Sequence, residues 1–238
     1  MCGIAGILHL AGAPVSPVTL HNMTDSSAHR GPDGEGHWVE GNVGLGHRRL
    51  AIIDLSPAGH QPMISRDGQV VLSYNGEVYN FEELRVELEA LGHQFRSRTD
   101  AEVVLNAWVQ WGTECTTRFN GMFAFAVWDK REQSLFLVRD RYGIKPLYYA
   151  SWGQTFLFGS EQKAILEHPA ATWELDRKAL LEYFTFQNLF TDRTLLKKIK
   201  LLPAATIGQV RMDGAGSGGA AEKIVIRNYW DYRFREPE

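Results

Sequence analysis

The chain has 238 residues, 44% of them hydrophobic and 22% charged, with a formal net charge of −3. A chain of this length buries a substantial core. Near-neutral charge without long runs of one sign gives nucleic acid or an anionic membrane surface nothing to bind. Cys2 and Cys115 are the only cysteines, which excludes a disulfide framework and a cysteine-based zinc cluster and agrees with a reducing, cytoplasmic setting.

The start, Met-Cys-Gly-Ile-Ala-Gly-Ile-Leu, lacks the basic region of a secretory signal, and the longest apolar run, Gly121 to Trp128, is too short to span a bilayer. Ile4 to Leu10 reads as a short buried strand, and Val18 to Ala28 as a helix ended by the turn-rich Arg30-Gly31-Pro32-Asp33-Gly34. Trp38 to Asp54 reads as two strands joined at Glu40-Gly41-Asn42. Gln69 to Tyr74 is a β-branched run entering Asn75-Gly76-Glu77, which has turn chemistry. Phe81 to Leu91 places Leu84, Leu88 and Leu91 on one helical face, and Glu102 to Trp111 forms a second helix. Strands Met122 to Trp128, Ser134 to Arg139, Leu147 to Ala150 and Thr155 to Ser160 follow. Ala179 to Phe186 is helical, and Ala205 to Met212 with Lys223 to Tyr229 makes a last hairpin around a Gly-rich loop. Many short antiparallel strands mixed with a few helices give an α+β class rather than a βαβ repeat.

A thiol is a strong nucleophile only as thiolate and needs a nearby base. At position 2 that base can be built in, because removal of Met1 gives Cys2 a free α-amine that titrates near pH ~8. Hydrolysis of an amide also passes through an oxyanion that needs donors aimed at it. Asn75, through its side-chain amide, and Gly76, through its backbone N–H, are candidates, although Asn-Gly by itself also reads as an ordinary hairpin turn.

Cys2-Gly3-Ile4-Ala5-Gly6-Ile7 resembles the opening of the class II glutamine amidotransferases, a branch of the N-terminal-nucleophile hydrolases. Arg30-Gly31-Pro32-Asp33-Gly34 is similar to the asparagine synthetase branch in particular. Gly46 to Asp54, Tyr74 to Asn80, Thr99-Asp100-Ala101-Glu102, Gly121 to Phe125 and Arg139 to Tyr148 match further motifs in family order, over essentially residues 2 to 166. The resemblance implies a four-layer αββα sandwich with antiparallel sheets. It implies Cys2 as nucleophile, Asn75 and Gly76 as the oxyanion hole, and L-glutamine as substrate. Arg49 would grip the glutamine α-carboxylate bidentately and Asp100 its α-ammonium. Backbone groups from Leu50 to Ile53 and around Glu77 would line the rest.

The resemblance further implies a glutamine amidotransferase domain over residues 1 to 212. Residues 213 to 238 would hold the Gly-rich loop, a final strand and the start of a hinge to an ATP-dependent synthetase domain, in cis or in trans. Ammonia would be used there, by default on aspartate, so the chain reads as part of a longer enzyme or of a split pair. No cofactor is expected for this domain, ATP and magnesium belonging to the synthetase domain. No metal site is expected either, since the eight histidines include no pair at ligand spacing backed by cysteine or carboxylate. Gly214 to Gly219 formally matches G-x-G-x-x-G, but a strand-like Lys223-Ile-Val-Ile226 follows where a phosphate loop requires a helix. Rival readings are a catalytically silent module of the same fold and an amidase for a different amide. The acceptor is not encoded here, and the oligomeric state, a homodimer included, is left open.

Overall fold

A computed structural model describes residues 1–212, 224–232 and 234. Its strands are β1 (Gly3–His9), β2 (Gly34–Glu40), β3 (Val43–Arg49), β4 (Met63–Ile64), β5 (Val70–Val78), β6 (Gly121–Asp129), β7 (Ser134–Arg139), β8 (Tyr148–Trp152), β9 (Thr155–Gly159), β10 (Lys200–Leu201), β11 (Thr206–Arg211) and β12 (Val225–Asn228). Its helices are α1 (Pro17–Asp25), α2 (Phe81–Ala90), α3 (Asp100–Trp111), α4 (Cys115–Arg118), α5 (Gln162–Leu166) and α6 (Arg177–Phe186). The strands form two six-stranded sheets, β10-β8-β9-β1-β3-β2 and β12-β11-β7-β6-β5-β4, and every strand pairing within them is antiparallel.

Alternation along the strands builds the layers, because successive side chains leave opposite faces of a sheet. In β6, Phe123, Phe125 and Val127 face the helix-covered side and pack with Trp108, Val104 and Leu88 of α3 and α2. Ala124, Ala126 and Trp128 point the other way, into a core shared with Ile4, Leu8 and Leu45 of the first sheet. The outer face of that sheet, through Ala5 and Ile7, packs on Leu20 and Met23 of α1 and Ile165 of α5. Three cores between four layers give the αββα sandwich. Among the described residues no helix is long and apolar enough to cross a membrane.

Several expectations shift. The first helix stops at Asp25, with Ala28–Arg30 as a separate 3-10 turn. The strand expected to run to Asp54 ends at Arg49, and the following segment turns away over the end of the sheets. Asn75-Gly76-Glu77 is not a turn but the continuation of β5, paired with β6 from Val70↔Asp129 to Val78↔Gly121. Local turn chemistry yields to nine residues of cross-strand pairing on a partner that is buried almost throughout. Gly76 is required by close approach instead, since a Cβ there would stand 2.6 Å from both the Met122 carbonyl oxygen and Phe123 Cβ. The two-residue strands β4 and β10 and the short helices α4 and α5 have no period long enough to read from sequence. β11 and β12 pair as expected, whereas Gly214 to Gly219 and Lys223 lie outside the described residues.

Candidate active site

The site forms at one end of the gap between the sheets. Cys2 directly precedes β1, whose register pairs Gly3 with Arg48 and so sets Cys2 beside the end of β3. The Leu50 N–H points at Cys2 Sγ from 3.4 Å, with the Leu50 carbonyl 3.7 Å from the same sulfur. On the opposing sheet, Ser73, Asn75 and Glu77 share the face of β5 that looks into the gap, and Ser73 Oγ donates to the Gly46 carbonyl of β3 at 2.9 Å. A cavity of about 190 Å³ results, and its walls include Cys2, Arg49, Leu50, Ile53, Asn75, Gly76, Glu77 and Asp100. Every residue singled out from sequence therefore meets in one place, although they come from both sheets and a helix.

Their local contacts differ. Burial holds the Cys2 thiol above its ordinary value, only partly offset by the Leu50 N–H. With Met1 attached, the Cys2 nitrogen is an amide and offers no base. Asn75 is almost fully buried, and among the described residues its Nδ2 has no hydrogen-bond partner. Such an unmatched donor costs about 1–3 kcal/mol, a cost that natural proteins rarely carry without a use.

Asp100 is the first residue of α3, placed by Thr99, whose hydroxyl caps the helix by accepting from Glu102 N–H at 3.3 Å. Glu102 reaches back to the Arg96 and Ser97 N–H groups, so the Thr99-x-x-Glu102 pattern orders the loop before the helix as well. Burial raises the Asp100 carboxyl, while donation from Tyr74 Oη at 2.6 Å and Val78 N–H at 3.0 Å opposes the rise. Arg49 does not stand free: its guanidinium donates to the backbone carbonyls of Ser56, at 3.0 Å, and of Asp54. It thereby ties down the segment carrying Leu50, Ala51, Ile52 and Ile53 along the cavity rim.

Several supporting residues were not assigned roles from sequence. Tyr74 anchors Asp100, and its own backbone is fixed on both sides, its N–H donating to Gln61 Oε1 at 2.7 Å and its carbonyl accepting from His47 Nε2 at 3.1 Å. Complete burial drops the His47 imidazole to about 3, so it is the neutral ring that donates. Arg30 Nε donates to the Cys2 carbonyl at 2.9 Å, and Asp33 accepts the Ala51 N–H at 2.9 Å. The Arg30-to-Gly34 motif thus holds both the residue before β1 and the cavity rim. Lys145 also lines the cavity. The signal for Arg30, Tyr74 and Lys145 was their place within the quoted motifs; nothing in their spacing announced a contact.

The sequence matches the glutamine amidotransferase domain family over residues 1–223. It is 46% identical over 235 residues to asparagine synthetase [glutamine-hydrolyzing] 3 of Bacillus subtilis, covering 97% of this chain and 37% of that protein. It is 39% identical over 178 residues to amidase chry2 of Gibberella zeae, covering 70% of this chain and 26% of that one. The chain therefore spans about a third of the length of these curated relatives. Among solved structures, glutamine phosphoribosylpyrophosphate amidotransferase from B. subtilis superimposes with a TM-score of 0.70 at 17% identity, over 96% of this chain and 49% of that one, and shares the two-sheet fold. With a cysteine at position 2 lining an inter-sheet cavity, and with the family match and the glutamine-hydrolysing synthetases among its relatives, the chain belongs to the class II glutamine amidotransferase domains.

Proposed function

We propose that the chain hydrolyses L-glutamine to glutamate and ammonia through a thioester on Cys2. After Met1 is removed, the Cys2 α-amine takes the proton from Sγ, directly or through a water, and the thiolate attacks the side-chain amide carbon. The tetrahedral oxyanion is met by Asn75 Nδ2 and the Gly76 N–H. The protonated amine then returns its proton to the departing nitrogen, which leaves as ammonia. Water attacks the thioester, releasing glutamate and restoring the thiol. Arg49 binds the α-carboxylate and Asp100 the α-ammonium, with Leu50, Ile53 and Glu77 closing the cavity. The buried Nδ2 of Asn75, unpaired among the described residues and in the same cavity wall as Cys2, is the observation that supports this reading best, because an oxyanion supplies the acceptor that those residues do not.

This reading places the domain at residues 1 to 212, followed by the connection to a synthetase domain in cis or in trans. There ATP and magnesium would activate a carboxylate, aspartate by default, for the ammonia to attack. The glutaminase step itself takes no cofactor, and the cytoplasm supplies its substrate and keeps the thiol reduced. The test is glutamate release by Met1-processed protein, compared with Asn75→Ala and Cys2→Ala. Asn75→Ala should lower kcat by about 10²–10³, and Cys2→Ala should abolish turnover. Substantial activity in Cys2→Ala, or an unchanged kcat in Asn75→Ala, would rule the mechanism out.

A further inference from the structure

The Arg139-to-Tyr148 motif lies on the crossing from β7 in one sheet to β8 in the other, and it is stitched to an unusual degree. Arg139 donates from Nε to the Lys145 carbonyl at 2.8 Å, from Nη1 to Leu202 at 2.6 Å and from Nη2 to Gly143 at 2.6 Å. The fully buried Asp140 carboxylate accepts from the N–H groups of Phe123, Tyr142, Ile144 and Lys145 at 3.0–3.2 Å. Gly143 makes the turn at φ +64°. All of this fixes the backbone of Lys145, whose side chain is 6% exposed and lines the Cys2 cavity. Among the described residues its ammonium forms no ion pair. A buried cation without a counter-ion is costly, and Asp140, the nearest candidate in sequence, spends its oxygens on backbone N–H groups.

Most of the other charges around the cavity are engaged. Arg30 is held by Glu161 and the Cys2 carbonyl, Arg49 by the carbonyls of Asp54 and Ser56, and Asp100 by Tyr74 and Val78. Asp54 accepts the Arg98 and Ser56 N–H groups. Glu77 lines the same space, and it and Asp140 act on Lys145 in the opposite sense to Arg30. Burial lowers the Lys145 ammonium, and the Cys2 thiolate is among the charges that oppose the drop.

We propose that Lys145 is a positioning residue for the nucleophile: its ammonium, set on the cavity wall, favours the Cys2 thiolate and so extends thiolate formation to lower pH. The proton still passes from Sγ to the Cys2 amine, and none passes through Lys145. The proposal rests on the reading of Cys2 as nucleophile.

The test measures alkylation of Cys2 by iodoacetamide between about pH 5 and 9, spanning the ordinary range of thiol and amine, with the adduct located by mass spectrometry. It uses Met1-processed wild type, Lys145→Met, Lys145→Gln and Lys145→Arg, with glutamine hydrolysis and Tm followed in parallel. In the Met and Gln variants the acid limb should move up by about one to two pH units, making alkylation on that limb at least about tenfold slower. Tm should not fall, and Lys145→Arg should restore most of the profile. A superimposable profile in folded Lys145→Met overturns the proposal, as does a shift that Lys145→Arg fails to reverse. Loss of folding in both Lys145→Met and Lys145→Gln also overturns it, because it would assign the lysine to structure. A processed wild type that hydrolyses no glutamine, while its alkylation profile still responds to Lys145, would remove the glutaminase reading and leave the coupling standing.

Discussion

Tyr74→Phe isolates one oxygen atom. The ring remains in the core, tilted against Phe125 with centroids 6.4 Å apart, but Asp100 Oδ2 loses its 2.6 Å donor and keeps the Val78 N–H at 3.0 Å. A hydrogen bond to a charged group contributes about 1.5–3 kcal/mol. One pKa unit corresponds to about 1.4 kcal/mol, so the Asp100 carboxyl, already raised by burial, should climb by a further one to two units or so. The ionised carboxylate is the form that the missing donor had supported. The destabilisation is therefore present above the carboxyl's folded-state pKa and fades as pH falls through it and the group becomes neutral. Above that pKa, Tm should fall by about 5 °C for a domain of this size. For glutamine use, the acid limb of kcat/KM should move up by the same one to two pH units or so. The loss should appear mainly in KM, since the α-ammonium site rather than the reacting carbon is affected. Glutamate release measured against pH, with thermal melts at two pH values, decides the matter. A folded variant with unchanged KM and an unmoved acid limb would refute the placement of Asp100 as the ammonium site held by Tyr74.

Arg49→Ala and Asp100→Ala should each lower kcat/KM roughly 30-fold, the equivalent of about 2 kcal/mol for one unpaired charge; steady-state kinetics within twofold of wild type for both would misplace the pocket. Cys115 is fully buried, with its thiol driven far above the ordinary range by burial, so a glutamine-like electrophile should label Cys2 alone in the folded chain, as read by peptide mass mapping, and label both cysteines only after denaturation. Gly76→Ala should lower stability by about 1–3 kcal/mol in a urea melt, because its Cβ would meet the Met122 carbonyl and Phe123 at 2.6 Å; a melt matching wild type would show that β6 can move aside. Protein that retains Met1 should release no glutamate, its Cys2 nitrogen being an amide, and full activity in a mass-verified Met1 sample would overturn the built-in base.

Much of this protein is written locally. The alternation of Phe123, Phe125 and Val127 against Ala124, Ala126 and Trp128 already states that β6 is buried on two unlike faces. A cysteine at position 2 states that a nucleophile there can carry its own base, and the pattern from Glu102 to Trp111 states that a helix lies there, although the Thr99 cap starts it two residues earlier, at Asp100. These are signals of period and position, which depend on near neighbours. What depends on packing was decided elsewhere. Asn75-Gly76 carries turn chemistry, yet it lies mid-strand because β6 pairs along its whole length. Arg49 reads as a substrate ligand, yet it secures the rim through the carbonyls of Ser56 and of Asp54, the last residue that sequence extended as strand. Lys145 and Cys2 line one cavity because the chain crosses from β7 in one sheet to β8 in the other. No local pattern encodes such a meeting, since residues distant in the chain are brought together by the burial of two sheet faces against each other rather than by any spacing between them.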